Sequence, residues 1–364
     1  MNEIEIQKVF YNPVCTNEEI ERIFNVQKPS DYLLKLRADT IVDNMRLFRV
    51  YRNKALANPE SWNLEKSFPT IHYERFLDKI EEDKLEICKS IHYGNIFSTE
   101  PNGFLYGNEF GNIITVSDSL QYFFKFMNLG LLEFGKKVPK RIAINSMRIA
   151  IRVMLQTEAL DFVMDPRGII TTELGRTMHE PIQYQMQFIA GHEFAHLLLG
   201  HLSDGKLCSK PLTKAIFSSQ VDYGNEKFYN HSQKNEFEAD IKSIEFGNYQ
   251  NIEKEKVFEG ALLWFASLDL HEAVENYIFP PMGLPTHPPA RDRFENLLQN
   301  IPMKKNYKYV KWSKMIKLVE ELKKYFIDDV GFNFEHYETY GSAYLDKPNT
   351  KWRGKELIDR VDYY

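Results

Sequence analysis

The sequence predicts a mainly helical protein with a small β-sheet, an α+β chain. Three observations lead there. Most of the chain carries apolar residues at helical spacing. One stretch, "LDFVMDPRGIITTEL" (160–174), instead alternates and is β-branched around a Pro-Arg-Gly turn, so a small hairpin or two edge strands is expected. No internal repeat or low-complexity segment points to a solenoid or a disordered linker.

The elements follow in order. "EEIERIFNVQ" (18–27), "DYLLKLRADTIVDNMRLFRVYRNKAL" (31–56) and "TIHYERFLDKIEEDKLEICKSIHY" (70–93) read as helical. A Gly- and Asn-rich stretch, "YGNIFSTEPNGFLYGNEFGN" (93–112), reads as a loop and a domain boundary. "IITVSDSLQYFFKFMNLGLLEFG" reads as a short strand then a helix, and "AINSMRIAIRVMLQTEA" (143–159) as a helix. After the 160–174 stretch comes an apolar helix containing "QFIAGHEFAHLLLGHLS" (187–203). A polar connection (203–231), helices near 233–247 and 253–276, a proline cluster (279–289) and the short helix "ARDRFENLLQN" complete the middle. The tail carries one amphipathic helix (about 312–326) and a loose aromatic end. The expected division is a helical region at 1–94, a main domain at 95–300 and a helical extension at 301–364.

Composition bounds the function. The 364 residues are 43% hydrophobic and 27% charged, ordinary for a folded soluble protein. Net charge is −5, so no nucleic-acid partner is expected. The basic, aromatic run "MKKNYKYVKWSKMIK" (303–317) reads as a solvated helix face. No signal peptide and no run long enough for a transmembrane helix is seen. Cys15, Cys88 and Cys208 are widely spaced and odd in number, which suggests reduced thiols and a cytoplasmic location.

The three histidines and the glutamate in the 187–203 stretch need a reason. His192 and His196 stand at i and i+4, side by side on one helix face. Two core histidines satisfied by hydrogen bonds could have this spacing. The full string His192-Glu193-Phe194-Ala195-His196, however, is the H-E-x-x-H pattern of zinc peptidases. Two imidazoles one turn apart can reach one metal, and the glutamate beside the first can act on water held there. Pro181 suits the first turn of the helix that carries them.

A catalytic zinc needs a third protein ligand. The extended pattern H-E-x-x-H-x-x-G-x-x-H fails, because Leu199 and Leu202 occupy its glycine and histidine positions. His201 lies about 140° around the helix from His196, which favours a supporting or core role. Downstream, "QKNEFEADIKSIEFG" (233–247) offers Asn235-Glu236-x-x-Ala239-Asp240. Glu236 and Asp240 share a face. Glu236 can bind zinc while Asp240 accepts the free N–H of a zinc-bound histidine. The plainer reading is a solvated acidic helix face.

With these residues assembled, the chain resembles gluzincin metallopeptidases, more narrowly the HtpX and CAAX prenyl-endopeptidase family. His192-Glu193-x-x-His196 and Glu236-x-x-Ala239-Asp240 carry the resemblance. So does Thr286-His287-Pro288-Pro289 with Arg293, similar to that family's T-H-P-P-x-x-x-R segment. It covers roughly residues 180–300. That family is built into membranes and this chain has no spanning helix, so it would be a soluble member. It is less specifically similar to Lit-type phage-exclusion peptidases. ImmA-type regulatory peptidases, with E-x-x-A-N where this chain has Glu236-x-x-Ala239-Asp240, are another relative in logic.

The resemblance implies a zincin-like core with two metal-ligand helices. It implies one Zn²⁺ per chain on His192, His196 and Glu236, with Glu193 as general base. Asp240, Asn235 and His201 would support the ligands; the family often carries a histidine where His201 stands. His287 would be the oxyanion donor, with Arg293 its partner. The expected activity is hydrolysis of a protein or peptide substrate, in a regulated defence or toxin-type protease. Residues 1–94 would gate it, receive a regulatory partner, or simply wall the cleft. Substrate would lie as an extended strand against a sheet edge, for which the 160–174 hairpin is the candidate. The competing reading is a non-catalytic, zinc-stabilised scaffold or sensor. "HEAVE" (271–275) only echoes the motif and reads as ordinary helix.

Overall fold

The computed structural model describes residues 3–98, 101–201, 206–209, 227–230, 233–281, 287–304, 307, 309–339 and 360–363. Helices dominate, and five short strands form one sheet in the order β1-β3-β2-β5-β4. They are β1 (His92–Ile96), β2 (Gly103–Asn108), β3 (Gly111–Ser117), β4 (Lys206–Ser209) and β5 (Lys227–Asn230). β1 runs parallel to β3, and the other pairings are antiparallel. This is the α+β organisation the sequence predicts.

Two expected helices are each split in two. The 31–56 run divides into Pro29–Asp43 and Met45–Ala57, broken at Asn44. The Asn44 side chain accepts from the amides of Arg46 and Leu47, capping the second helix instead of continuing the first. The 70–93 run divides into Ile71–Leu77 and Glu82–Lys89, and its last residues enter β1.

The 93–112 stretch is not a loop. It contains most of β1 and all of β2, and β2 returns to β3 through a tight turn at Glu109-Phe110. Gly111, at φ 124°, sits where an L side chain is strained. The glycines that suggested a loop serve the turn and a close approach described below.

The 160–174 stretch, conversely, forms no strand. Arg167 and Gly168 both adopt positive φ. Arg167 is buried and bonds Glu158 and Asp161. Two backbone amides, of Val361 and Tyr363, donate to the carbonyls of Arg167 and Ile169. Buried ion pairs and this distant segment override the β-branched pattern, which expresses packing preference more than backbone preference.

The histidine helix (Ile182–Leu198) is the central element. Every residue from Gln185 to His196 is buried. It packs against the carboxylate helix (Gln233–Glu245), the long helix Asn251–Ile278, the helix Ile71–Leu77 and the sheet. Gly191 lets Phe76 approach, since a Cβ there would lie 2.8 Å from that ring. Phe76 then stacks on Phe194 at 5.6 Å. A second apolar cluster, from Val14 to Phe68 with Phe97, joins the first helices. The main one takes in Tyr73 and Phe76 through to Val361.

"HEAVE" lies inside the long helix, with His271 3.5 Å from Glu275. The 303–317 run leads into a helix, Val310–Phe332, that buries Trp312 and exposes Lys311. Apart from β4 and β5, the 203–231 connection lies outside the described residues, as do Thr286 and most of the aromatic end. Cys15 and Cys88 are buried free thiols.

Candidate metal centre

Two helices bring the expected ligands together. His192 and His196 turn their Nε2 atoms toward one another, 3.0 Å apart. The carboxylate of Glu236 closes the triangle: Oε2 lies 3.4 Å from His192 Nε2, and Oε1 lies 3.4 Å from His196 Nε2. For bond lengths near 2.0–2.2 Å in tetrahedral geometry, ligand atoms should stand about 3.3–3.6 Å apart; the two Glu236 separations meet this, and the two histidine nitrogens stand closer than it requires. All three groups are buried.

Charge and hydrogen bonding fit a cation as well. The cluster holds the carboxylates of Glu193, Glu236 and Asp240 and the single guanidinium of Arg293, all buried. Arg293 offsets one of these charges and a proton on His192 can offset another; were both histidines neutral, as ligands must be, a bound cation would take that proton's place. Glu236 Oε2 is buried without a hydrogen bond. A divalent ion answers both conditions.

The supporting contacts are specific. His192 Nδ1 lies 2.9 Å from Asp240 Oδ1, so a carboxylate stands beside its outward nitrogen while Nε2 faces His196 and Glu236. Arg293 donates twice to Asp240, at 2.8 and 2.6 Å, and stands 3.4 Å from Glu236. Its guanidinium also covers the Phe265 ring at 4.6 Å. It therefore braces the carboxylates from within. His201 is buried, with Nδ1 2.8 Å from His196 Nδ1, so His196 and His192 each have an outer neighbour, His201 for one and Asp240 for the other. Asn235 is half-buried beside Glu236. His287 stands at the mouth, its side chain 44% exposed and Nε2 3.8 Å from Glu236 Oε2.

Electrostatics sort these groups. Burial alone would lower the pKa of His192, but Asp240 and Glu236 outweigh it and hold the ring up to about 10. Burial also acts to raise Glu236; His192, His196 and Arg293 hold it well below the usual carboxylate range instead. Glu193 is pushed up to about 7, chiefly by burial; His192 opposes this and Glu236 adds to it.

One contact was not foreseen. A Cβ on Gly103 would lie 2.5 Å from Glu193 Oε1, so the first residue of β2 runs directly over that carboxylate. Among the described residues, β5 pairs with β2 at Tyr106 and Gly107, and the Gly103–Leu105 half of β2, beside Glu193, has no β5 partner. The signal was present: a glycine opening an alternating "GFLYG" marks close backbone approach as readily as a loop. No protein-family model, curated protein or solved structure matches the chain.

Proposed function

We propose that the protein is a zinc-dependent endopeptidase that hydrolyses peptide bonds of a protein substrate. The observation that carries this is the convergence of His192, His196 and Glu236, their ligand atoms 3.0–3.4 Å apart, beside a buried Glu193. A bound Zn²⁺ would supply Lewis acidity and lower the pKa of a water it holds.

The chain's own residues account for the rest. His192, His196 and Glu236 hold the ion, and Asp240 and His201 orient the two rings. Glu193, raised toward neutrality by burial, is suited to take a proton from water and return it to the leaving amine. His287, half-exposed and 3.8 Å from Glu236, would donate to an oxyanion. The Gly103–Leu105 edge offers backbone groups for an extended substrate, a role that moves here from the 160–174 stretch.

Metal analysis and cleavage assays together test this. Wild type should hold about one zinc per chain and cleave an unfolded protein. Glu236→Ala should lose the metal. Glu193→Gln should keep it and lose cleavage. A zinc-loaded wild type that cleaves nothing across a diverse peptide library would favour the scaffold or sensor reading. Equal zinc in wild type and Glu236→Ala would remove Glu236 from the site.

A further inference from the structure

A second site lies at the other end of the histidine helix. A cavity of about 510 Å³ opens between the end of helix Ser119–Leu132, the first turn of the histidine helix, the long helix and the helix Val310–Phe332. That size is usual for small-molecule sites, about 300–1,000 Å³. Its body is apolar, built from Leu131, Leu132, Leu263, Trp312, Met315 and Leu318. Its polar lining is mostly cationic: Lys136, Lys256, Lys311 and Lys314, against Glu180 and Glu259.

The charges do not cancel. Lys256 lies 3.4 Å from Glu180, and Lys311 pairs with Glu259. Lys136 donates to the Leu132 carbonyl at 2.7 Å, which leaves its charge uncompensated. Among the described residues, neither Lys136 nor Lys314 has an acidic partner. Pro181 and Tyr184 place the cavity at the positive end of the histidine-helix dipole. An apolar chamber with net positive walls at a helix N-terminus fits an amphiphile with an acidic end, and disfavours a cationic or purely polar ligand.

We propose that this cavity binds an aliphatic monocarboxylate, the acyl chain against Leu263, Met315 and Trp312 and the carboxylate near Lys136 and Lys314. This is independent of the metal reading. It gives a ligand direct contact with the base of the helix that carries His192. Gly260 makes that base tight, since a Cβ there would stand 2.9 Å from the backbone of Tyr184.

The test is calorimetric titration of the full chain with decanoate, decanol and decyltrimethylammonium. Decanoate should bind saturably and at least tenfold more tightly than the other two. Lys136→Glu with Lys314→Glu, both on exposed side chains, should weaken decanoate at least tenfold and leave decanol unchanged. Leu318→Trp should weaken both by filling the chamber. Absence of saturable decanoate binding overturns the proposal. So does equal binding of the ammonium amphiphile, or decanoate binding that neither variant alters. A wild-type dimer that Leu318→Trp dissociates would assign the cavity to a second copy and also overturn it.

Discussion

Gly103 of β2 and Glu193 of the histidine helix are in direct contact, so closely that no other side chain fits between them. The sheet thereby sets where the carboxylate points. Gly103→Ala should push Glu193 aside without touching a metal ligand. A displacement near 1 Å can cost about a hundredfold in rate. The expected result is cleavage reduced about a hundredfold, with wild-type zinc content. Parallel kinetics and metal analysis check it; unchanged kinetics would mean that Glu193 is not the base or that β2 yields freely.

Arg293 and Asp240 form the brace behind the site. Asp240→Asn keeps the shape but weakens the hold on His192 Nδ1, and such outer partners are typically worth 10–100-fold in metal affinity. Competition against a chelator should show a loss in that range. Arg293→Met should act differently. It leaves Asp240 and Glu236 buried with His192 as their remaining counter-charge, a loss of up to about 3–5 kcal/mol in the metal-free protein. Zinc should recover part of it, since the metal binds the folded state alone. Urea unfolding with and without zinc measures both; a metal-free Arg293→Met as stable as wild type would contradict the brace.

Without a cation, the carboxylates of Asp240 and Glu236 keep a proton on His192, whose pKa stands at about 10. A metal ligand must be deprotonated, so loading at pH 7 has to displace that proton. Adding zinc to metal-free protein in weak buffer should release at least about one proton per chain. Asp240→Asn should release less, because one of the two groups raising the ring has lost its charge. Release identical in both proteins would show that the proton sits elsewhere.

The grouping of His192, His196 and Glu236 was legible because it rests on local spacing. His192 and His196 share a face by helical period alone, and Glu236 and Asp240 do likewise on a second helix. The role of Arg293 was harder to read. Sequence placed it near the chemistry, but only packing shows it turned inward onto Asp240. The sheet was misread in two places for one reason. Strand formation depends on partners far along the chain, so glycine-rich 93–112 became β1 and β2 once β3 was there to pair. The β-branched 160–174 stretch met Arg167's carboxylates and the 360–363 segment instead.

His72 gives the fold an acid sensitivity separate from the metal site. It lies on the helix Ile71–Leu77, is 4% exposed, and its ring sits 4.3 Å from that of Tyr73. Burial lowers its pKa to about 4; the neighbouring Asn95 side chain opposes this and Arg75 adds to it. The unfolded chain protonates near pH 6.5. Between those values the unfolded state carries the extra proton, so stability falls as pH falls from about 6.5 toward 4. By linkage, His72 should account for about 2 kcal/mol of lost stability between pH 7 and 4.5. Comparing wild type with His72→Gln by urea unfolding at both pH values isolates this group. The variant should lose about 2 kcal/mol less than wild type over that interval; an equal loss in both proteins would show that His72 can take its proton without leaving the folded state.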